Sequence, residues 1–168
     1  MSDFVNIGSQ SYDQGIAVNS TTKNAPLGAV VQAKDVASTD YGVGDFIYLQ
    51  GVASTAVGSV VLIDQDDFTT TLATADDTGY IAFAMAATVA NEYGWYQIAG
   101  KCVAKALASC ADNASLYLTA TAGSLDDAVV AGDRVKGYCK SASAVDTPSS
   151  GLIEVDTRNP FVDNGEAA

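Results

Sequence analysis

Short apolar runs that alternate with polar residues recur along this chain, and each ends in a cluster of Gly, Asp, Asn or Ser. The clusters GVGD, GVASTAVG, DQDD, ADDTG, ADNA, TAGSLDD, AGD and DTPSSG punctuate the sequence from residue 42 to residue 151. Such punctuation leaves room for strands of five or six residues and little room for helices. Alternation is visible within the runs. Phe46, Tyr48 and Gln50 fall on one side and Ile47 and Leu49 on the other, and Leu116 and Leu118 oppose Ser115, Tyr117 and Thr119. In the run Arg134–Lys140, Val135 faces away from Lys136, and Tyr138 lies on the Lys136 side. The pattern predicts an all-β fold, a small β-barrel or β-sandwich of about ten short strands.

The expected strands are Leu27–Ala33, Asp45–Gln50, Ser59–Ile63, Thr69–Ala73, Tyr80–Ala84, Gly94–Ile98, Lys101–Leu107, Ser115–Thr119, Ala128–Val130, Arg134–Lys140 and Leu152–Asp156. Two stretches admit helix. Met85–Tyr93 is Ala-rich and runs into Gly94, which suits one or two turns with a glycine cap. Cys102, Val103, Ala106, Leu107 and Cys110 form a helical stripe, yet KCVAKAL also alternates and strand is the preferred reading. The acids agree with a turn-rich β chain: 17 of the 20 are Asp, a turn former, and only 3 are Glu.

Three regions follow. Residues 1–26 are read as an extended N-terminal arm with apolar anchors at Phe4, Val5, Ile7, Tyr12, Ile16 and Val18. A loose terminus or an edge strand around Ile16 and Val18 are its alternatives. Residues 27–157 form the barrel or sandwich domain. Residues 158–168 form a polar tail anchored by Phe161 and Val162, with Pro160 expected to end strand pairing.

Composition excludes several functions. The 168 residues carry 8 Lys and Arg against 20 Asp and Glu, a net charge of −12, and no His. A Ser-His-Asp triad or a His-ligated zinc has no residues to build it. Nucleic acid is not an expected partner, because phosphate binding needs clustered cations, and an anionic membrane is not one either. The N-terminus lacks the basic and apolar regions of a secretory signal, and no apolar run reaches membrane-spanning length. With Cys102, Cys110 and Cys139 odd in number, the expectation is free thiols in a chain made in a reducing cytoplasm.

The chemistry-bearing residues read mostly as structure. Asp64, Asp66 and Asp67, Asp76 and Asp77, and Asp126 and Asp127 are acid clusters, but the first lacks the sixth-position Gly and twelfth-position Glu of a calcium loop. They are expected to cap turns. No CxxC spacing exists, and the cysteines are expected to pack as small apolar groups. Lys101 and Lys140 beside Cys102 and Cys139 offer a route to lowered thiol pKa values. Gly42-Val-Gly-Asp lacks the remaining residues of a dinucleotide or phosphate loop. Tyr93, Trp95 and Tyr96 read first as a core strand, with an interface or a sugar-stacking platform as alternatives. No catalytic residue, metal or cofactor is expected.

Several strings resemble a known family. Gly44-Asp-Phe-Ile-Tyr-Leu-Gln-Gly-Val, Gly94-Trp-Tyr-Gln-Ile-Ala-Gly-Lys-Cys-Val-Ala and Ser115-Leu-Tyr-Leu-Thr-Ala-Thr-Ala-Gly-Ser-Leu-Asp-Asp-Ala resemble the capsid decoration (cement) proteins of tailed bacteriophages. Gly137-Tyr-Cys-Lys-Ser-Ala and Gly151-Leu-Ile-Glu-Val are similar to the last two strands of that family. The resemblance covers roughly Val43 to Val155 and leaves the arm unmatched. It implies a non-enzymatic β protein on the outer surface of the virion, made in the host bacterial cytoplasm. It would form homotrimers at threefold-like positions, or homodimers at twofold-like ones, and clamp neighbouring copies of the major capsid protein. The alternative is a low-copy head-fibre, tail or host-attachment module that binds a glycan or protein. The expected docking residues are Phe4, Val5, Ile7, Tyr12, Ile16, Val18, Trp95, Tyr96 and Phe161. Removing residues 1–20 is then expected to abolish docking and leave the fold intact.

Overall fold

A computed structural model describes residues 3–9 and 12–165. Residues 1, 2, 10 and 11 of the expected arm and 166–168 of the expected tail lie outside the described residues. The described chain is all-β. Its strands are β1 (Phe4–Asn6), β2 (Val30–Asp35), β3 (Val43–Gln50), β4 (Val60–Ile63), β5 (Thr70–Leu72), β6 (Gly79–Ala84), β7 (Tyr93–Lys105), β8 (Tyr117–Leu118), β9 (Leu125–Asp126), β10 (Lys136–Ser141) and β11 (Leu152–Val162).

One antiparallel sheet runs in the order β1-β2-β3-β7-β11-β6-β4-β5, with β10 on β11, and β8 and β9 form a separate ribbon. The sheet curls because β7 is long and forks. β3 pairs with its first half, from Gln50↔Tyr93 to Asp45↔Ala99. β11 pairs with its second half, from Arg158↔Ala99 to Leu152↔Lys105. β6 joins near the branch at Phe83↔Gln97 and then meets the far end of β11 at Phe161↔Tyr80. Gly100 occupies the branch at φ 98°, where a Cβ would lie 2.6 Å from the Val43 carbonyl oxygen. Buried Gln97 fills the gap left where β3 departs. Its Nε2 donates to the carbonyls of Ala99 (3.0 Å) and Lys101 (3.1 Å), the work a neighbouring strand would do.

The fork explains why Gly94–Ile98 and Lys101–Leu107, expected as two strands, are one. A bulge, not a turn, absorbs Ile98 to Gly100. A second bulge corrects the expectation at Pro160. β11 continues through this residue because the register against β10 shifts between Lys136 and Tyr138. Gly137, at φ 80°, allows the close approach there, since a Cβ would lie 2.6 Å from the Asn159 carbonyl oxygen. Proline is tolerated where the ladder is already interrupted. The stretch 85–92 forms bends and turns and no helix, Tyr93 opens β7, and Lys101–Lys105 is strand as preferred. Ala128–Val130 is irregular, and its place is taken by the short β9.

Three apolar clusters hold the fold, and burial of such side chains contributes roughly 1.5–3 kcal/mol each. One face of the curl, here called the front, encloses Ile47, Leu49, Val61, Ile63, Ala82, Ala84 and Tyr96. β5 returns to β3 at the parallel Gln50↔Thr69 bridge and closes this half-barrel at one end. The back face carries two clusters. Phe4, Ile16, Val31, Phe46, Tyr48 and Trp95 lie under residues 12–29. Phe83, Cys102, Ile153 and Val155 lie under the excursion from residue 106 to 135, which inserts Leu116, Leu118 and Leu125.

The N-terminal stretch is docked along the domain's own sheet. β1 pairs with β2 through Phe4↔Asp35 and Asn6↔Ala33. The Phe4 ring meets Phe46 edge-on at 4.9 Å. Gln14 fastens the rest: its Nε2 donates to the carbonyls of Val18 and Tyr93, both at 2.7 Å, and its Oε1 accepts from the Tyr48 hydroxyl at 2.6 Å. Removing residues 1–20 would uncover Phe46, Tyr48 and Trp95, so the fold is not expected to survive that deletion unchanged.

Candidate docking face

Cross-strand partners in an antiparallel sheet share a face, so the register fixes which side chains stand together. Beyond the half-barrel the front face stays open. One row joins Tyr138, Arg158 and Ala99, and β7 carries it on to Asp45 and Gln32. A second joins Lys140, Asp156 and Lys101. A third joins Val5, Lys34 and Val43 across β1, β2 and β3. Lys136, Phe161 and Tyr80 form a fourth at the corner where β11 reaches β6, with the Tyr80 and Phe161 rings 6.4 Å apart. Lys105 stands opposite Leu152 at the end of β7.

This face concentrates the cations of the chain. Lys34, Lys101, Lys105, Lys136, Lys140 and Arg158 are six of its eight Lys and Arg residues, while Asp45, Glu154, Asp156 and Asp163 are four of its twenty acids. Two cations are neutralised locally, Lys101 by Glu154 and Lys136 by Asp163, both at 2.7 Å. Among the described residues, Lys34, Lys105, Lys140 and Arg158 have no carboxylate within ion-pair distance. A hollow of about 520 Å³ opens beside Arg158, lined also by Ala99, Gly100, Lys101, Tyr138, Asp156 and Thr157.

The acid clusters do other work. Asp64 Oδ1 accepts from the Asp66 amide (2.8 Å), Asp67 Oδ1 from the Thr69 amide (2.9 Å), and Asp77 Oδ2 from the Thr74 amide (2.8 Å). These are turn caps, as expected. Cys110, Asp126 and Asp127 approach within 4.8 Å of one another, but Asp127 already accepts from the Ala111 amide. The cysteines pack as small apolar groups, as expected, and the alternative of lowered thiol pKa values is not met. Burial pushes Cys110 up to about 11, with Asp127 and Asp126 adding to it, and pushes Cys139 up to about 12. Cys102 is raised by burial as well. Lys101 and Lys140 do not offset this, because their side chains leave on the opposite face from the thiols beside them.

The residues expected to dock are divided by the fold. Trp95 is 2% exposed and Tyr96 1%, Trp95 donating through Nε1 to the Gln14 carbonyl (3.1 Å) and Tyr96 standing inside the half-barrel. Phe4 and Ile16 are 7% and 5% exposed. These four are core, which removes the aromatic platform suggested for sugar stacking. Tyr12 is half-buried against Trp95, with ring centroids 5.8 Å apart. Val5 and Ile7 are about half exposed on the front face, Phe161 lies half-buried at its aromatic corner, and Val18 is exposed elsewhere. Sequence reasoning missed the cations. Their signal was present in VKGYCK, where Lys136, Tyr138 and Lys140 alternate within a strand while the acids gather in turns.

No protein-family model, no curated protein and no solved structure matches this chain. Fold and face together describe an all-β protein with one sheet face set apart from its surface by charge.

Proposed function

We propose that this is a structural virion protein that binds the outer surface of a bacteriophage capsid and stabilises the shell by bridging major capsid protein subunits. In this reading it is made in the host bacterial cytoplasm and acts as a homotrimer or homodimer. The observation that carries the reading is the segregation of charge: a broad, cation-bearing sheet face on a chain many of whose remaining acids cap turns. Such a molecule has one side to lay against a surface and one to leave in solvent. Many weak contacts of this kind, repeated over a closed shell, add to a large net stabilisation by multivalency. The acidic remainder keeps copies apart until they dock.

The test is the copy number of the chain in purified particles from its source, measured by quantitative mass spectrometry against the major capsid protein. A simple fraction of the capsid protein count is expected. A handful of copies per particle would move the protein to the fibres or tail, and none would end the virion reading.

A further inference from the structure

We propose that the front face docks a protein surface on which carboxylates alternate with cations, one partner carboxylate entering the hollow between Lys101, Tyr138 and Arg158. The inference rests on the capsid-binding reading for the identity of the partner, but not for its chemistry.

Three observations lead there. First, among the described residues four cations on this face have no carboxylate within ion-pair distance, although the chain carries twenty acids. A chain with such a surplus has every means to neutralise a strand lysine, as Glu154 does for Lys101. Lys34, Lys105, Lys140 and Arg158 are left open across four strands of one sheet. Second, the charges alternate. Lys140, Asp156 and Lys101 form a plus-minus-plus row at the strand spacing of roughly 4.8 Å. A phosphate backbone presents only negative charge, and Asp156, Glu154 and Asp45 would repel it. A protein surface with the reverse pattern meets every charge with its opposite. Third, the face is not only ionic. Val5, Val43 and Tyr138 are about half exposed among the cations, with Phe161 and Tyr80 at the corner. Apolar and aromatic groups of this kind supply contact area once the charges have set the register.

The variant that tests this is Lys140→Glu/Arg158→Glu in the full chain. Arg158 is exposed and Lys140 half-buried at the outward end of its strand, and unchanged thermal unfolding is the check that both substitutions leave the fold alone. The first probe is a matrix bearing a tethered peptide of alternating Glu and Lys, which offers carboxylates set between cations. The wild-type chain, despite its net charge of −12, is expected to be retained at ~20 mM salt and released by ~300 mM, where the screening length falls severalfold, and the variant is expected to elute unretained. Equal elution of the two overturns the proposal. The second probe is source particles stripped of this chain. Here the variant is expected to bind at least tenfold more weakly at low salt. Tight wild-type binding that the variant retains overturns the docking face and leaves the capsid reading standing. Retention on the matrix without any binding to particles does the reverse. The third probe is double-stranded DNA: binding to it stronger than to the matrix would overturn the preference for carboxylates.

Discussion

The N-terminal stretch and the excursion from residue 106 to 135 both cover the back of the sheet, yet they hold on by different chemistry. The excursion inserts Leu116, Leu118 and Leu125, each fully buried, into the cluster around Phe83 and Val155. The N-terminal stretch inserts Phe4 and Ile16 and is otherwise fastened by hydrogen bonds: the β1–β2 ladder, the Ser20↔Tyr93 bridge and the Gln14 amide. Gln14 joins its own segment to Tyr93, Tyr48 and, through Asn24 Nδ2 donating to its Oε1 (3.1 Å), to the far side of the loop. Apolar plugs are insensitive to register and strong in sum. A buried amide is directional, and its loss leaves the groups it served unpaired. The same sheet face is thus closed once by volume and once by geometry.

Three measurements bear on that contrast. The largest effect is expected from Leu118→Ala, which should cost ~2–5 kcal/mol through lost burial and the cavity left behind. Denaturant unfolding measures it, and Trp95 emission before the transition should stay unchanged. A shift in that emission would show that the two covers are one cooperative unit. Gln14→Ala should cost less, ~1–3 kcal/mol, because it strands the Tyr48 hydroxyl proton and the Val18 carbonyl, while the Tyr93 carbonyl keeps the Ser20 amide. Here Trp95 emission should shift to the red and amide exchange should rise over residues 14–24, with protection kept at Leu116 and Leu118. Unchanged exchange would mean that Phe4 and Ile16 carry the attachment alone.

The smallest effect is one of pH and falls on the excursion side, where all three cysteines pack. Burial raises their pKa values, so the folded chain keeps protons that the unfolded chain releases above the ordinary thiol value of about 8.5. Stability from this source is complete below that value. It declines as pH rises towards about 11 and 12, the values for Cys110 and Cys139. Thermal unfolding between pH 8 and pH 10 should show a falling midpoint, and a thiol reagent at pH 8 should find the native chain unreactive. Rapid labelling of native Cys110 would contradict its burial.

What could be read from the sequence was what repeats at short range. Alternation in Asp45–Gln50, and short apolar runs bounded by turn residues in Ser59–Ile63 and Tyr80–Ala84, placed three strands within one or two residues, because such signals are local. Gly100 and Pro160 misled because each is a local breaker whose effect is absorbed by a bulge that only the neighbouring strand creates. The apolar residues of the first 26 positions looked sparse. They suffice because Gln14 supplies tertiary hydrogen bonds that no pattern announces. The docking face was hidden for a similar reason. Lys34, Lys101, Lys140 and Arg158 are far apart in the chain and become neighbours only through the register of β2, β7, β10 and β11.

The position of β11 has a further consequence, for the order in which the molecule can be made. This last strand lies inside the sheet, bonded to β7, β6 and β10 together. Until residues 152–162 leave the ribosome, β7 and β6 each present an open edge, and the long-range pairings that complete the sheet have no partner. Folding must therefore wait for residues 152–162, and topology of this kind is slow. During that wait the nascent chain is protected by its own charge, since the acidic turns that cap the strands are already in place to keep unfinished copies from pairing edge to edge.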